Sequence, residues 1–257
     1  MKKEAEKFTD SRIMEGMTSI RAVLEGKHRN IERILFDRER ETAHIKEIAY
    51  LKHRGEELGF EVVGCDRQAI DDMTVGNSHG GIIAVCSDRI LPELSAGDIS
   101  PDGFWVVLDG IEDPYNFGYC LRSLYAAGVD GVILPPRNWL SAAGVVCRAS
   151  AGASERFDIY ISEPAKAAEM MKKKGYTVVA ADKTDEAISI YDTDIKRPVF
   201  LMIGGEKRGI NRAALDMCDI TVMLDYGREF RAALSAASAA SVIAFEIFRK
   251  GRSDGKA

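Results

Sequence analysis

Four short runs in the second half of the chain are almost wholly apolar: Phe104-Trp105-Val106-Val107-Leu108, Gly131-Val132-Ile133-Leu134, Thr177-Val178-Val179-Ala180 and Val199-Phe200-Leu201-Met202-Ile203. Each has the length of one strand, and none alternates apolar with polar residues. A strand with one wet face alternates; an unbroken apolar run requires burial on both faces, the environment of a parallel sheet covered by helices. Helical segments such as residues 165–174 lie between the runs. The pattern predicts an α/β domain with a mostly parallel sheet over residues 104–257.

Residues 1–90 predict a smaller α/β unit. Ile31 to Phe36, Phe60 to Val63 and Gly81 to Cys86 have the character of strands. Ile45, Ile48, Leu51 and Leu58 recur at helical spacing within residues 42–58, and Gly59 follows as a stop. Residues 91–103 hold two prolines, two glycines and two aspartates, the composition of a linker.

Composition excludes several classes. A hydrophobic content of 46% against 29% charged residues argues against disorder. The five cysteines form no C-x-x-C pair and have no histidine at zinc-ligand spacing, so free thiols in a reducing, cytoplasmic compartment and no metal site are expected. His28, His44, His53 and His79 are scattered and are expected to be structural or solvent-facing. The longest apolar stretch, residues 232–248, is broken by Ser235, Ser238, Ser241 and Glu246, so no membrane span is expected. Residues 1–10 are charged and lead into no apolar run, so no signal peptide is expected. The formal net charge of −5 offers no general attraction for nucleic acid; any RNA contact must come from local cations.

Three segments could carry chemistry. Asp109 to Gly118 is a turn-rich loop after a buried strand, and it opens a helix with Asn116 near the N-cap. Gly118 and Arg122 lie four apart on one helix face, so Arg122 can lean back over the bare glycine toward the mouth of the sheet, where open parallel sheets bind ligands. The plainer account is a capping Asn and a surface Arg paired with a carboxylate. In Gly204-Gly205-Glu206-Lys207-Arg208-Gly209, another loop after a buried strand, the glycines would let backbone approach a ligand. The plainer account is an ordinary left-handed turn with solvated charges. Neither the P-loop nor the dinucleotide spacing is present. The third segment runs from Met223-Leu224-Asp225-Tyr226-Gly227 through Arg228 and Arg231 into an Ala/Ser-rich helix over residues 234–249, which also suits simple core packing.

In this order the segments resemble the three motifs of the SpoU (TrmH-like) branch of the SPOUT RNA methyltransferases. Asn116-Phe117-Gly118-Tyr119-Cys120-Leu121-Arg122 matches N-x-G-x-x-x-R, and Gly204 to Gly209 matches G-x-E-x-x-G. Ala149 to Ala153 resembles a further family segment. Ser78-His79-Gly80-Gly81-Ile82 stands where the family's small substrate-binding domain, of L30e-like fold, carries H-Q-G-I. The third motif departs: Met223 to Gly227 lacks the family's proline, the segment to the helix is longer, and Ser235 follows Leu234 where an asparagine is usual.

The resemblance implies transfer of a methyl group from S-adenosylmethionine to a ribose 2′-hydroxyl of RNA, with ribosomal RNA preferred to transfer RNA. It also implies a C-terminal trefoil knot and a homodimer. It points to Arg122, Asn116, Glu206 and Ser235 as catalytic, and to Gly204, Gly205, Met223, Leu224 and Leu234 as cofactor-binding. Arg228, Arg231, Lys207 and Arg208 are the cations expected along the RNA path. Two other functions suit the same scaffold: a catalytically silent RNA-binding protein, and a methyltransferase acting on a base of transfer RNA.

Overall fold

The structure, a computed structural model, describes residues 11–74, 79–137 and 140–253. Ser78 and the charged residues 1–10 lie outside the described residues. Contacts divide the chain into two compact units: Met1–Ile90 with Asn138–Arg156, and Leu91–Arg137 with Phe157–Ala257.

The first unit opens with β1 (Ile13–Glu15) and α1 (Gly16–Gly26). It continues through β2 (Ile31–Asp37), α2 (Ile45–Leu58), β3 (Glu61–Cys65), α3 (Arg67–Met73) and β4 (Ile82–Cys86). Its four-stranded sheet has the order β1-β4-β2-β3. β2 and β3 are parallel, and the other pairs are antiparallel. β4 is buried at every position, which explains its unbroken apolar run. α2 begins at Ile45, later than the apolar spacing alone predicts, and Gly59 closes it with φ of 82°.

The second unit begins with residues 91–103, which are packed rather than extended as a tether. Leu94 and Ile99 are buried in its core, and the Leu94 N–H donates to the Ile161 carbonyl at 3.0 Å. Then come β5 (Phe104–Asp109), α4 (Pro114–Ala126) and β6 (Gly131–Leu134). The chain returns to the first unit for α5 (Ala143–Ala149) and α6 (Ala153–Arg156). It completes the second with β7 (Asp158–Ile161), α7 (Pro164–Lys173), β8 (Thr177–Ala181), β9 (Ile188–Ser189), β10 (Val199–Gly204), α8 (Arg212–Leu215), β11 (Ile220–Met223) and α9 (Ala236–Ser253). Seven strands form one sheet in the order β7-β6-β5-β10-β8-β11-β9, and all pairs are parallel. The four apolar runs are β5, β6, β8 and β10, all in its interior. α4 and α9 pack together, with the Ser241 hydroxyl donating to Ser123 Oγ at 2.6 Å. Lys250, buried near the end of α9, donates from Nζ to the carbonyls of Ile190 and Thr193.

Two features bind residues 138–156 into the first unit. Ala143 and Cys147 join a core with Met14, Ile20, Val23 and Leu51. Glu155 is buried beside two arginines: Arg29 donates from Nε to its carboxylate at 3.0 Å, and Arg89 Nη1 lies 3.8 Å away. Removing a buried carboxylate from beside guanidiniums leaves buried cations without their counter-charge. Gly26 leaves room for this arrangement, since a Cβ there would lie 1.6 Å from the Glu155 carbonyl oxygen.

Replacing Glu155 by Ala is therefore expected to lower unfolding stability by roughly 3–5 kcal/mol, read from denaturant titration. A loss below about 1 kcal/mol would remove the ion cluster as the anchor of this segment. The five cysteines are free. Burial pushes the thiols of Cys86, Cys120 and Cys147 up to about 12, so thiolate is scarce at neutral pH. Alkylation of the native protein at pH 8 should spare these three and reach them only after denaturation, as resolved by mass spectrometry. Rapid native labelling of Cys120 would contradict the packing of α4.

Candidate active and cofactor site

The site is built on one strand pair. Val199 to Gly204 of β10 lies beside Phe104 to Asp109 of β5 in parallel register, ending with Gly204 against Asp109. The loops after both strands therefore leave the sheet together, at its carboxyl edge. The Gly205 N–H donates to the Asp109 carbonyl at 2.7 Å, and the buried Asp109 carboxylate accepts the Asn211 N–H at 2.9 Å. A Cβ on Gly205 would lie 2.1 Å from the Gly110 carbonyl oxygen, and one on Gly204 would lie 2.4 Å from the Gly209 carbonyl carbon. Both glycines are thus demanded by the close approach of the chain's own backbone, whether or not a ligand also approaches them.

At the carboxyl ends of β8, β10 and β11 lies a cavity of about 210 Å3. Gly204, Gly205, Met223, Leu224 and Leu234 all line it, so the five residues expected to bind the cofactor are brought together. Ile203, Val222 and Ile243 add apolar wall, and Asp182, Glu206, Lys183 and Tyr226 add polar groups. S-adenosylmethionine suits this lining: apolar wall for a flat adenine, strand-end backbone for its polar edge, and carboxylates for its cationic groups.

A second recess, about 110 Å3, is lined by Gly110, Ile111, Glu112, Asp113 and Asn116 from the first loop, and by Gly205, Glu206 and Lys207 from the second. Ala236 completes it. Gly205, Glu206 and Ala236 line both spaces, which therefore share a wall. Asn116 is not the cap of α4. Asp113 is, its carboxylate accepting the Asn116 N–H at 2.7 Å, with Pro114 in the first turn. The cap being taken by Asp113, the Asn116 side chain is left available to the recess.

The other expected site residues are placed less centrally. Arg122 is exposed and lines neither space. It stands six residues beyond Asn116, about 120° around the helix, in line with Gly118. Among the described residues none forms an ion pair or hydrogen bond with Arg122, Glu206 included. Ser235 accepts the Ser238 N–H on Oγ at 3.2 Å, the bond that caps α9, which starts at Ala236 rather than Leu234. Of the four cations, Lys207 lies 3.5 Å from Glu112 while Arg208, Arg228 and Arg231 are exposed, with Arg228 on a shallow hollow formed by residues 225–230 and Leu234.

Asp109, Asp182, Lys183 and Tyr226 were not singled out from the sequence. Asp182 and Lys183 directly follow a buried apolar run, the same position that marked the two glycine-rich loops, and that signal would have found them. Among the described residues no cluster of three His, Cys, Asp or Glu is placed to hold a metal ion, and no helix is long and apolar enough to cross a membrane.

Residues 103–245 match the SpoU rRNA Methylase family, and residues 13–90 match the model for RNA 2'-O ribose methyltransferase substrate binding. A 23S rRNA (guanosine-2'-O-)-methyltransferase RlmB of Shewanella oneidensis is 29% identical over 204 residues, covering 76% of this chain and 81% of that protein. The RlmB of Photorhabdus laumondii is 29% identical over 248 residues, 93% of this chain and 98% of that protein. The SpoU methyltransferase AviRb of Streptomyces viridochromogenes, solved with AdoMet, has the same fold at a TM-score of 0.78 and 20% identity, covering 98% of this chain and 99% of that one. The matched models span both units and every strand of the sheet that carries the cavity, and the chain belongs to the SpoU rRNA methylase family.

Proposed function

We propose that this protein moves the methyl group of S-adenosylmethionine to a ribose 2′-hydroxyl of ribosomal RNA, at a guanosine as in the RlmB relatives. One observation carries the proposal: the recess holding Asn116 and the cavity that fits the cofactor share the wall formed by Gly205, Glu206 and Ala236. A nucleotide in the recess is thereby set beside the occupant of the cavity, and orientation of this kind supplies much of the acceleration of a displacement reaction.

When bound, the cofactor supplies an electrophilic methyl group on a sulfonium. The apolar lining of Ile203, Val222, Leu234 and Ile243 keeps water from that group. Asn116 offers an amide to orient the ribose, and Glu206, exposed at the shared wall, orders the substrate side. Arg122 grips a phosphate of RNA lying across the exposed face of α4 and thereby holds the ribose in place over the recess. It keeps its own proton throughout, as guanidinium does in proteins, and the proton of the 2′-hydroxyl passes to solvent as the methyl leaves the sulfonium. Ser235 fixes the start of α9 against both spaces. Lys207, Arg208, Arg228 and Arg231 contribute the local positive charge that an acidic chain otherwise lacks, and residues 1–90 contribute selectivity for the RNA.

The same proposal includes a cytoplasmic homodimer, no metal, and a knotted passage of the segment before α9. Val242, Phe245 and Phe248 stand exposed on α9 at spacings of three, an apolar stripe that suits a second copy. Phe245→Glu should shift the mass in light scattering from dimer to monomer; an unchanged dimer would place the interface elsewhere.

Arg122→Ala is expected to lower methyl transfer to ribosomal RNA by at least about 100-fold and leave calorimetric cofactor affinity within twofold. Arg122→Lys should not restore it, because a point charge lacks the planar fork. Turnover near wild type would remove Arg122 from the mechanism. Methylation mapped by resistance to alkaline cleavage, on ribosomal and transfer RNA in parallel, tests both the 2′-oxygen and the substrate. Replacing Arg228 and Arg231 together by Ala should flatten the salt dependence of RNA binding by roughly 0.7–0.9 units of slope per lost phosphate contact. A wild-type slope would leave these two arginines as solvated surface charges.

A further inference from the structure

Residues 225–235, between the end of β11 and the start of α9, contain neither helix nor strand, yet Tyr226, Ala233 and Leu234 from this stretch line the cavity. A segment of this length over a ligand site needs fastening if the site is to be preformed. The structure fastens it at three spaced points. At its start the Ser189 hydroxyl donates to the Asp225 carboxylate. In its middle Lys183 Nζ donates to the Phe230 carbonyl at 3.2 Å and stands 4.7 Å from the centroid of the Tyr226 ring. Toward its end the Tyr226 hydroxyl accepts the Leu234 N–H at 3.2 Å.

Two of these fastenings come from Lys183 and Tyr226, which themselves line the cavity. Lys183 stands two residues past the end of β8, beside Asp182, whose N–H donates to the Val222 carbonyl at 3.1 Å, while the groups it grasps lie on the irregular segment. The Phe230 side chain is exposed and packs on the Tyr226 ring of its own segment, with centroids 6.0 Å apart, so Lys183 holds the segment at this point through its backbone. We propose that Lys183 and Tyr226 are positioning residues that strap residues 225–235 across the cavity and thereby set how long S-adenosylmethionine stays bound. The assignment rests on the reading of this cavity as the cofactor site. The strap is a property of the third motif, the stretch in which this chain departs from its family pattern.

Neither residue touches the recess that holds Asn116, so the strap acts on cofactor retention rather than on the reacting oxygen. Cofactor dissociation measured by stopped flow, with affinity by calorimetry, on the full chain and its Lys183→Ala, Lys183→Arg, Tyr226→Ala and Tyr226→Phe variants tests this. Loss of a cation–π contact and a hydrogen bond should speed release roughly tenfold in Lys183→Ala and in Tyr226→Ala. KM for the cofactor should rise in step while kcat at saturation stays within about threefold, and the melting temperature should hold. Lys183→Arg should recover most of the retention, since guanidinium keeps both the ring contact and a donor. Tyr226→Phe should fall between, keeping the ring and losing the acceptor for Leu234. Wild-type release rates in both alanine variants, or no recovery with arginine, would overturn the strap. A wild-type protein without affinity for S-adenosylmethionine would instead overturn the functional reading of the cavity.

Discussion

Everything the second unit does at its ligand edge depends on the register between β5 and β10. Six residues of each strand are matched, and the pairing ends with Gly204 beside Asp109. A slip of one residue would turn each side chain to the opposite face and separate the two loops. The register is locked beyond the strands by the Gly205 N–H on the Asp109 carbonyl and by the Asp109 carboxylate on the Asn211 N–H. Because Gly110 and Gly205 pass at contact distance, the loops are parts of one packed object. Any side chain at Gly205 would push the floor of the recess and the wall of the cavity apart together.

The site combines two kinds of rigidity. Its floor consists of strand ends held by sheet hydrogen bonds, and its cover consists of irregular chain held by a few side chains. Catalytic geometry needs the first, because small displacements are costly to positioned reactants. Exchange of a cofactor after each turnover needs the second. The distribution of charge follows the same division. Buried Asp109 is tied inward to backbone, while Lys207, Arg208, Arg228 and Arg231 are spread over exposed loops where an anionic polymer can reach them.

Much of this was legible in the residues because the information was local. Unbroken apolar runs announced interior parallel strands, and a glycine-rich stretch after such a run announced a strand end with a cavity beside it. What was not legible required knowing who the neighbours are. Asn116 was expected near the cap of α4 because Asn suits that role, but Asp113 suits it equally and precedes Pro114, which favours the first turn. The glycines of the second loop carry no mark that separates approach to a ligand from approach to the chain's own backbone. Residues 91–103 have the turn-rich composition of a linker, and only the packing of Leu94 and Ile99 shows that two apolar residues suffice to draw them into a core. Nothing within residues 138–156 announces that they complete a unit begun more than a hundred residues earlier.

The Arg29–Glu155 contact spans 126 residues of sequence, and Ala143 and Cys147 fill the same core as Met14 and Ile20. A ribosome delivering the chain from its amino end releases β1 to β4 while the residues that cover them are still untranslated. During that interval the nascent first unit has an open apolar face and two arginines without their carboxylate. It becomes a finished body only after β5, α4 and β6 have also emerged. The two units are therefore interleaved in time as well as in sequence, and a gene fragment ending at residue 90 encodes a core without its lid.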